Sequence, residues 1–147
     1  MIEFKKGDVL DSNADVICHQ VNCQGVMGAG LAKQVRSRYP AVYTAYRNTC
    51  NTTSKHELLG TVLIVRISDT QSIANIFGQY AFGTDRRHTD YTALRKALSK
   101  LNICFAGKTI ALPHGIGCGL AGGDWNAVLS IIDSSLTDCK VQIYSLR

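Results

Sequence analysis

No apolar run in this chain approaches the roughly 20 residues that a membrane-spanning helix needs. The longest such run, residues 61–67, has the length of a strand. The opening residues Ile2-Glu3-Phe4-Lys5-Lys6-Gly7-Asp8 lack the apolar centre of a secretory signal. These absences predict a soluble, intracellular protein, cytoplasmic in location, with no membrane partner. No pair of cysteines has Cys-x-x-Cys spacing, and His19 and His114 form no tight cluster with them. Neither a metal nor a cofactor is therefore expected. Internal repeats, low-complexity stretches and linkers are also missing. The six cysteines, at 18, 23, 50, 104, 118 and 139, could pair, but a chain of 147 residues does not need disulfide staples. Cys18, Cys104 and Cys139 lie in or beside apolar stretches, where a thiol behaves as a small hydrophobe.

Charged residues make up only 18% of the chain, and hydrophobic residues 46%. That balance supplies a real core, excludes disorder, and predicts one domain over residues 1–147. The net charge of +5 suits an anionic partner such as a nucleotide, a nucleic acid or a phosphate ester.

Strand and helix signals alternate. Residues 2–5 alternate apolar and polar, and 14–21 are rich in Val and Ile, so both predict strands. Residues 31–39 predict a short helix with Leu31 and Val35 on one face. Pro40 stops it and opens another, with Val42, Tyr43, Tyr46 and Cys50 turned inward. Residues 51–54 are a polar loop. Two strands, 61–67 and 73–77, are joined by Ser68-Asp69-Thr70-Gln71 and predict a hairpin. Residues 78–88 have no periodicity and read as a loop. Thr89 or Asp90 caps a helix with Tyr91, Leu94, Leu98 and Leu101 on its buried stripe. A strand at 109–112 follows. Asp124 then caps a helix bearing Trp125, Val128, Leu129, Ile132 and Leu136, and a strand at 141–146 closes the chain. The pattern predicts a three-layer α/β/α sandwich around a mixed, roughly six-stranded sheet.

Eight of the 13 glycines lie in two clusters: Gly25, Gly28 and Gly30, then Gly115, Gly117, Gly119, Gly122 and Gly123. Each cluster lies between a strand and a helix. Successive exposed N–H groups at such a place form an anion nest, and a helix start adds partial positive charge. Two nests on one sheet edge suit the two phosphates of a diphosphate. The alternative is that the glycines only make tight turns. Neither familiar phosphate motif fits. A Walker A loop needs Lys followed by Ser or Thr, and Gly30 is followed by Leu31-Ala32. The spacing at 25–30 is G-x-x-G-x-G rather than G-x-G-x-x-G, and no acidic residue stands about 20 residues later to hold a ribose.

Three segments resemble the macro domain, the ADP-ribose-binding α/β/α module. They are Gly7-Asp8-Val9, Val21-Asn22-Cys23-Gln24-Gly25-Val26-Met27-Gly28-Ala29-Gly30-Leu31-Ala32, and Gly115-Ile116-Gly117-Cys118-Gly119-Leu120 ahead of a helix opening on Trp125. The resemblance spans nearly the whole chain. Within the family it is nearest the branch of terminal ADP-ribose glycohydrolases and yeast-type ADP-ribose-1″-phosphate phosphatases. His19-Gln20-Val21-Asn22-Cys23 and Tyr39-Pro40 with Tyr43 and Tyr46 resemble the phosphatases most.

The resemblance implies roles residue by residue. Asp8 would accept from the adenine amine, with the Val9 N–H nearby. Asn22 would contact the distal ribose. Gly25, Met27, Gly28, Ala29 and Gly30 would wrap that ribose and one phosphate. Ile116, Gly117, Cys118, Gly119 and Leu120 would offer N–H groups to the diphosphate. The glycohydrolase lysine and aspartate positions fall at Gln79 and Ala121, neither of which can act as nucleophile or base. His19 falls at the position of the histidine proposed to act in the phosphatases, so His19 and Asn22 are the catalytic candidates. Asp85, His88 or Asp90 could complete an acid–base pair, and Arg86 and Arg87 could meet a terminal phosphate. Cys118, among backbone donors, is expected to have a lowered pKa. The function so implied is hydrolysis at the distal ribose of ADP-ribose derivatives, the 1″-phosphomonoester first. The alternatives are an ADP-ribosyl hydrolase acting on protein or nucleic acid, and a reader of ADP-ribose without turnover. An RNA-binding domain has only the net charge in its favour.

Overall fold

The computed structural model describes residues 2–146. In chain order its elements are β1 (Ile2–Lys6), a 3-10 turn (Val9–Asp11), β2 (Val16–Asn22), α1 (Gly30–Arg38), α2 (Pro40–Thr52), α3 (Lys55–Leu58), β3 (Val62–Arg66), β4 (Ser72–Gln79), α4 (Tyr91–Cys104), β5 (Thr109–Pro113), α5 (Trp125–Ser135) and β6 (Lys140–Ser145). The strands form one six-stranded sheet in the order β1-β6-β5-β2-β4-β3. All neighbours are parallel except β3, which runs antiparallel to β4 from Val62↔Ile76 to Arg66↔Ser72. The mixed sheet and the hairpin are as the sequence predicts.

Strand burial follows position in the sheet. Central β2 and β4 are buried over most of their length, with His19, Asn22 and Asn75 as buried polar residues among the apolar ones, whereas edge strand β1 is exposed beyond Ile2. On one face α1 and α2 press Val35, Val42 and Tyr46 against Ile17, Val21, Ile73 and Phe77. On the other, α4 and α5 press Leu94, Leu98, Leu101, Val128 and Ile132 against Cys18, Ala74, Ile76 and Leu112. The Asp90 carboxylate accepts from the Ala93 N–H at 3.0 Å, and Asp124 accepts from Asn126 at 3.4 Å. Such caps each contribute about 1 kcal/mol.

Four details depart from the sequence reading. Asn51 and Thr52 are helical rather than loop, α2 running on until the Thr53 N–H closes on the Thr49 carbonyl at 3.1 Å. The turn at Val9–Asp11 forms because Asp8 accepts from the Leu10 N–H at 2.9 Å, letting Val9 and Leu10 reach the core. The one-turn α3 forms because Leu58 is drawn into the core beside Tyr46 and Phe77. Helix α1 stops at Arg38, since Tyr39 precedes Pro40 and takes φ −132°, ψ 75°. Among the described residues no helix is long and apolar enough to cross a membrane.

Candidate active site

Strands β2 and β5 pair only at Val16↔Ile110 and Ile17↔Ala111. Beyond that point β2 continues to Asn22 against β4, and β5 continues to Pro113 against β6. The sheet therefore splits at its carboxyl edge, where α1 and α2 leave one face and α4 and α5 the other. That is the usual ligand position in an open α/β sheet. A cleft of about 520 Å³ opens there, and both glycine clusters line it.

Asn22 builds the first loop. Its Oδ1 accepts from the Gln24 N–H at 2.9 Å and the Val26 N–H at 3.4 Å, while Nδ2 donates to the Val26 carbonyl at 2.8 Å. Cys23 anchors the same loop to β4's far end, its N–H donating to the Tyr80 carbonyl at 3.1 Å. The chain is thereby turned so that Gly28, Ala29 and Gly30 line the cleft. Their N–H groups meet no acceptor among the described residues, and α1 begins with no side-chain cap. A ready-made anion site results.

The second loop is braced from behind. The Cys118 N–H donates to Gly115 at 2.8 Å, and the Gly123 N–H donates to Gly117 at 2.9 Å. The Ala121 carbonyl accepts from the His88 and Thr89 N–H groups at 2.7 and 3.2 Å. This bracing leaves the N–H groups of Gly117, Gly119 and Leu120 without an acceptor among the described residues, and all three residues line the cleft. Among the described residues no Asp, Glu, Lys or Arg lines it.

The expected site residues divide. His19, Asn22, Gly28, Ala29, Gly30, Ile116, Gly117, Gly119 and Leu120 come together around the cleft, as do Gln79 and Ala121. Gly25, Met27, Cys118, Asp8 and Val9 do not line it. Met27 is a core residue beside Val21 and Tyr46, and Asp8 caps the turn at Leu10. The expectation of a lowered Cys118 pKa is corrected: burial, then the nearby Asp124 carboxylate, push the thiol up. Its Sγ donates to the Ile116 carbonyl at 3.4 Å. Arg87 stacks on the Tyr91 ring at 4.4 Å, and Arg86 lies 3.9 Å from Asp85. Asp85 pairs with His88 at 2.8 Å outside the cleft lining, and Asp90 is a helix cap.

His19 is 2% exposed. Its Nε2 lies 2.6 Å from Asn75 Oδ1, and Asn75 Nδ2 donates to the Leu63 carbonyl at 3.0 Å. Asn75 therefore presents its oxygen to the ring, so Nε2 carries the proton and Nδ1 holds the lone pair. Nδ1 is buried without a partner. Burial lowers the pKa from 6.5 to about 4, against the opposing effect of the hydrogen bond donated to Asn75, so the ring is neutral at physiological pH.

Gln20, Phe82, Gly83, Thr84 and His114 also line the cleft and were missed. Gln20 had a findable signal, its place between His19 and Asn22 on the strand entering the first loop. His114 follows directly on the last strand residue before the second. The other three lie in the aperiodic segment 78–88, where spacing carries no information.

Comparisons agree with this architecture. The family model for the Macro domain matches residues 18–132. The DNA ADP-ribosyl glycohydrolase of Mycobacterium tuberculosis is 44% identical over 98% of this chain, which spans 42% of that relative's length. The ADP-ribose 1″-phosphate phosphatase of Scheffersomyces stipitis is 37% identical over 54% of this chain and 52% of its own. A macrodomain protein from Streptomyces coelicolor superimposes with a TM-score of 0.83 at 27% identity, covering 99% of both chains.

Proposed function

This chain belongs to the macro domain family, and we propose that it binds ADP-ribose in the cleft and hydrolyses derivatives at the distal ribose. One observation carries the binding reading. Two loops on either side of the split in the sheet each present unpaired N–H groups to a cleft with no carboxylate in its wall. A diphosphate has the charge and the length to meet both loops. The family and its named relatives supply the rest of the ligand.

The bond hydrolysed is, on the first reading, the 1″-phosphomonoester. His19 supports it as the one buried histidine of the cleft, neutral and with its Nδ1 lone pair uncommitted. A ring with a pKa near 4 is no proton donor at neutral pH, so it acts by orienting or deprotonating water. Asn22 serves by holding the first loop in shape. A second reading, cleavage of an ADP-ribosyl group from nucleic acid, is favoured by the 44% identity to a DNA ADP-ribosyl glycohydrolase across 98% of this chain.

Calorimetric titration with ADP-ribose tests the binding. Incubation with ADP-ribose 1″-phosphate, with detection of phosphate, tests the first reaction, and incubation with an ADP-ribosylated oligonucleotide tests the second. Binding without either product would mean a reader. Absence of binding would remove the proposal altogether.

A further inference from the structure

All 11 acidic residues lie outside residues 16–56, whereas 5 of the 16 lysines and arginines lie inside them. The net charge of +5 therefore belongs to that one segment, and the rest of the chain is balanced. Strand β2 takes none of it, so the charge stands on α1, α2 and the α3 turn, at Lys33, Arg36, Arg38, Arg47 and Lys55. An ordinary solvated face mixes its signs, as the remainder of this chain does. Arg38 is paired with Asp11 at 2.6 Å. Among the described residues the other four have no carboxylate within ion-pair distance, Glu57 at the segment's end included. Lys33, Arg36 and Arg47 are exposed, and Lys55 is half-buried.

These cations gather around the first glycine loop. Arg36 lies over the Tyr43 ring, 4.0 Å from its centre, and Arg47 lies 6.0 Å from the same centre. Arg47 Nη1 also donates to the Tyr43 hydroxyl at 3.2 Å. Two like charges are thus held on one ring, a repulsion that a bound anion relieves. A Cβ on Gly25 would meet Arg47 Cδ at 3.5 Å, so the arginine stem lies against the loop itself. Burial pushes the Cys50 thiol's pKa up, while the Tyr46 hydroxyl, Lys55 and Arg47 draw it down, which puts both cations beside that residue. Ala32, one turn before Arg36 on α1, lines the cleft. Beyond the loop, the Tyr80 carbonyl accepts from the Cys23 N–H at 3.1 Å and from Gln24 Nε2 at 2.9 Å. Two residues further, Phe82 lines the cleft with 53% of its surface exposed. Cations beside open rings are what a single-stranded polynucleotide uses, phosphates meeting the charges and bases stacking on the rings. An acidic polypeptide would use the charges and leave the Phe82 ring bare.

We propose that α1, α2 and the α3 turn bind a single-stranded polynucleotide across the mouth of the cleft, with Lys33, Arg36, Arg47 and Lys55 on its phosphates and Phe82 under one of its bases. The link to the cleft rests on the ADP-ribose reading above, the strand being what carries the ADP-ribosyl group that the loops grip. Of the two bonds considered there, the surface favours the one to nucleic acid, since a free 1″-phosphate has no use for it.

Fluorescence anisotropy with a labelled, unmodified oligothymidylate of about 12 nucleotides reads the surface apart from any reaction. Arg36→Gln with Arg47→Gln removes two charges beside the first loop. Lys100→Gln with Lys108→Gln removes two exposed charges elsewhere. The first pair should weaken oligonucleotide binding about tenfold and flatten the slope of log affinity against log salt by about 1.4, the share of two phosphates on a single strand. The second pair should change that affinity less than about twofold, and ADP-ribose affinity should hold within about twofold in both. Phe82→Ala should weaken the oligonucleotide about tenfold at an unchanged salt slope, because stacking releases no counterions. Equal losses in the two charge pairs would reduce the effect to net charge and overturn the proposal. So would polyglutamate that competes as well as the oligonucleotide, or a parent protein that binds ADP-ribose and no oligonucleotide. A parent protein that binds the oligonucleotide and not ADP-ribose would overturn the ADP-ribose reading and leave the strand surface standing. Oligouridylate beside oligothymidylate tells an RNA strand from a DNA strand, and tighter binding of either supports the surface. Should the Arg47 change disturb the loop it packs on, Lys33→Gln with Arg36→Gln, both at exposed positions of α1, takes its place with the same expectation.

Discussion

The hydroxyl of Tyr46 reaches both the backbone carbonyl of Asn22, at 2.7 Å, and its side-chain Oδ1, at 2.9 Å. A residue of α2, wholly buried, thereby fixes the side chain that shapes the first glycine loop. Helix packing and loop geometry are one unit here.

Tyr46→Phe keeps the packing, including the stack on Phe77 at 5.8 Å, and removes only that hydroxyl. The single hydroxyl proton is shared between two acceptors, and Oδ1 keeps the Gln24 N–H, so stability should fall by about 1 kcal/mol as the Asn22 carbonyl loses that donor. ADP-ribose affinity should fall several fold with it as the loop loosens. Urea unfolding and calorimetry on the same preparation check both. A change in stability with unaltered affinity would separate the loop from the helix.

Gly28→Glu should leave the fold intact and abolish binding. A Cβ at Gly28 meets only Val26, at 3.6 Å, and its φ is not left-handed. Stability should change by less than about 0.5 kcal/mol. A carboxylate facing a diphosphate costs several kcal/mol, so affinity should drop more than about a hundredfold. Retained affinity would mean that the first loop is only a turn.

Gly117→Ala should destabilise where Gly119→Ala does not. Gly117 has φ +73°, and a Cβ there lies 2.9 Å from Gln20 Oε1 and 3.1 Å from Thr89 Oγ1. Strain of this kind costs about 1–3 kcal/mol. Gly119 has open space where its Cβ would stand, so its substitution should stay within about 0.5 kcal/mol. Thermal melts of the pair give the comparison directly.

His19 makes stability depend on pH. Its folded pKa of about 4 lies below the ordinary 6.5, so on acidification the unfolded chain takes the proton first. The contribution is complete above pH 6.5 and is lost as pH falls from 6.5 towards 4. Its size is about 3 kcal/mol by linkage. In His19→Ala the slope of stability between pH 6.5 and 4 should flatten by that amount. The same variant should lose turnover while holding ADP-ribose within a few fold. Unchanged turnover would remove His19 from the reaction.

Much of the fold is legible in the sequence because local rules decide it. The apolar stripe of α4, the caps at Asp90 and Asp124, and the polar turn before β4 each rest on neighbours in the chain. The glycine clusters are legible for the same reason: too many glycines lie too close together between a strand and a helix. Strand order is not, since only packing brings β2 beside both β4 and β5. Nor is the division of labour within the loops. From sequence, Asn22 and Cys118 look equally placed to touch a ligand. In the fold, Asn22 lines the cleft while its amide holds its own loop, and Cys118, its Sγ on the Ile116 carbonyl, is not part of the lining. The hydrogen bonds of Gln20 span 59 and 69 residues of chain, a separation at which spacing carries no signal.

The two rungs that join β2 to β5 leave the sheet resembling a zip drawn only part of the way. What lies in the open length then acts as a clasp between the halves, gripped by one loop on each side. A bound ligand should slow amide exchange along both parting strands, well outside its own footprint, and raise the melting temperature in proportion to the logarithm of its concentration. An empty molecule would breathe along that line first.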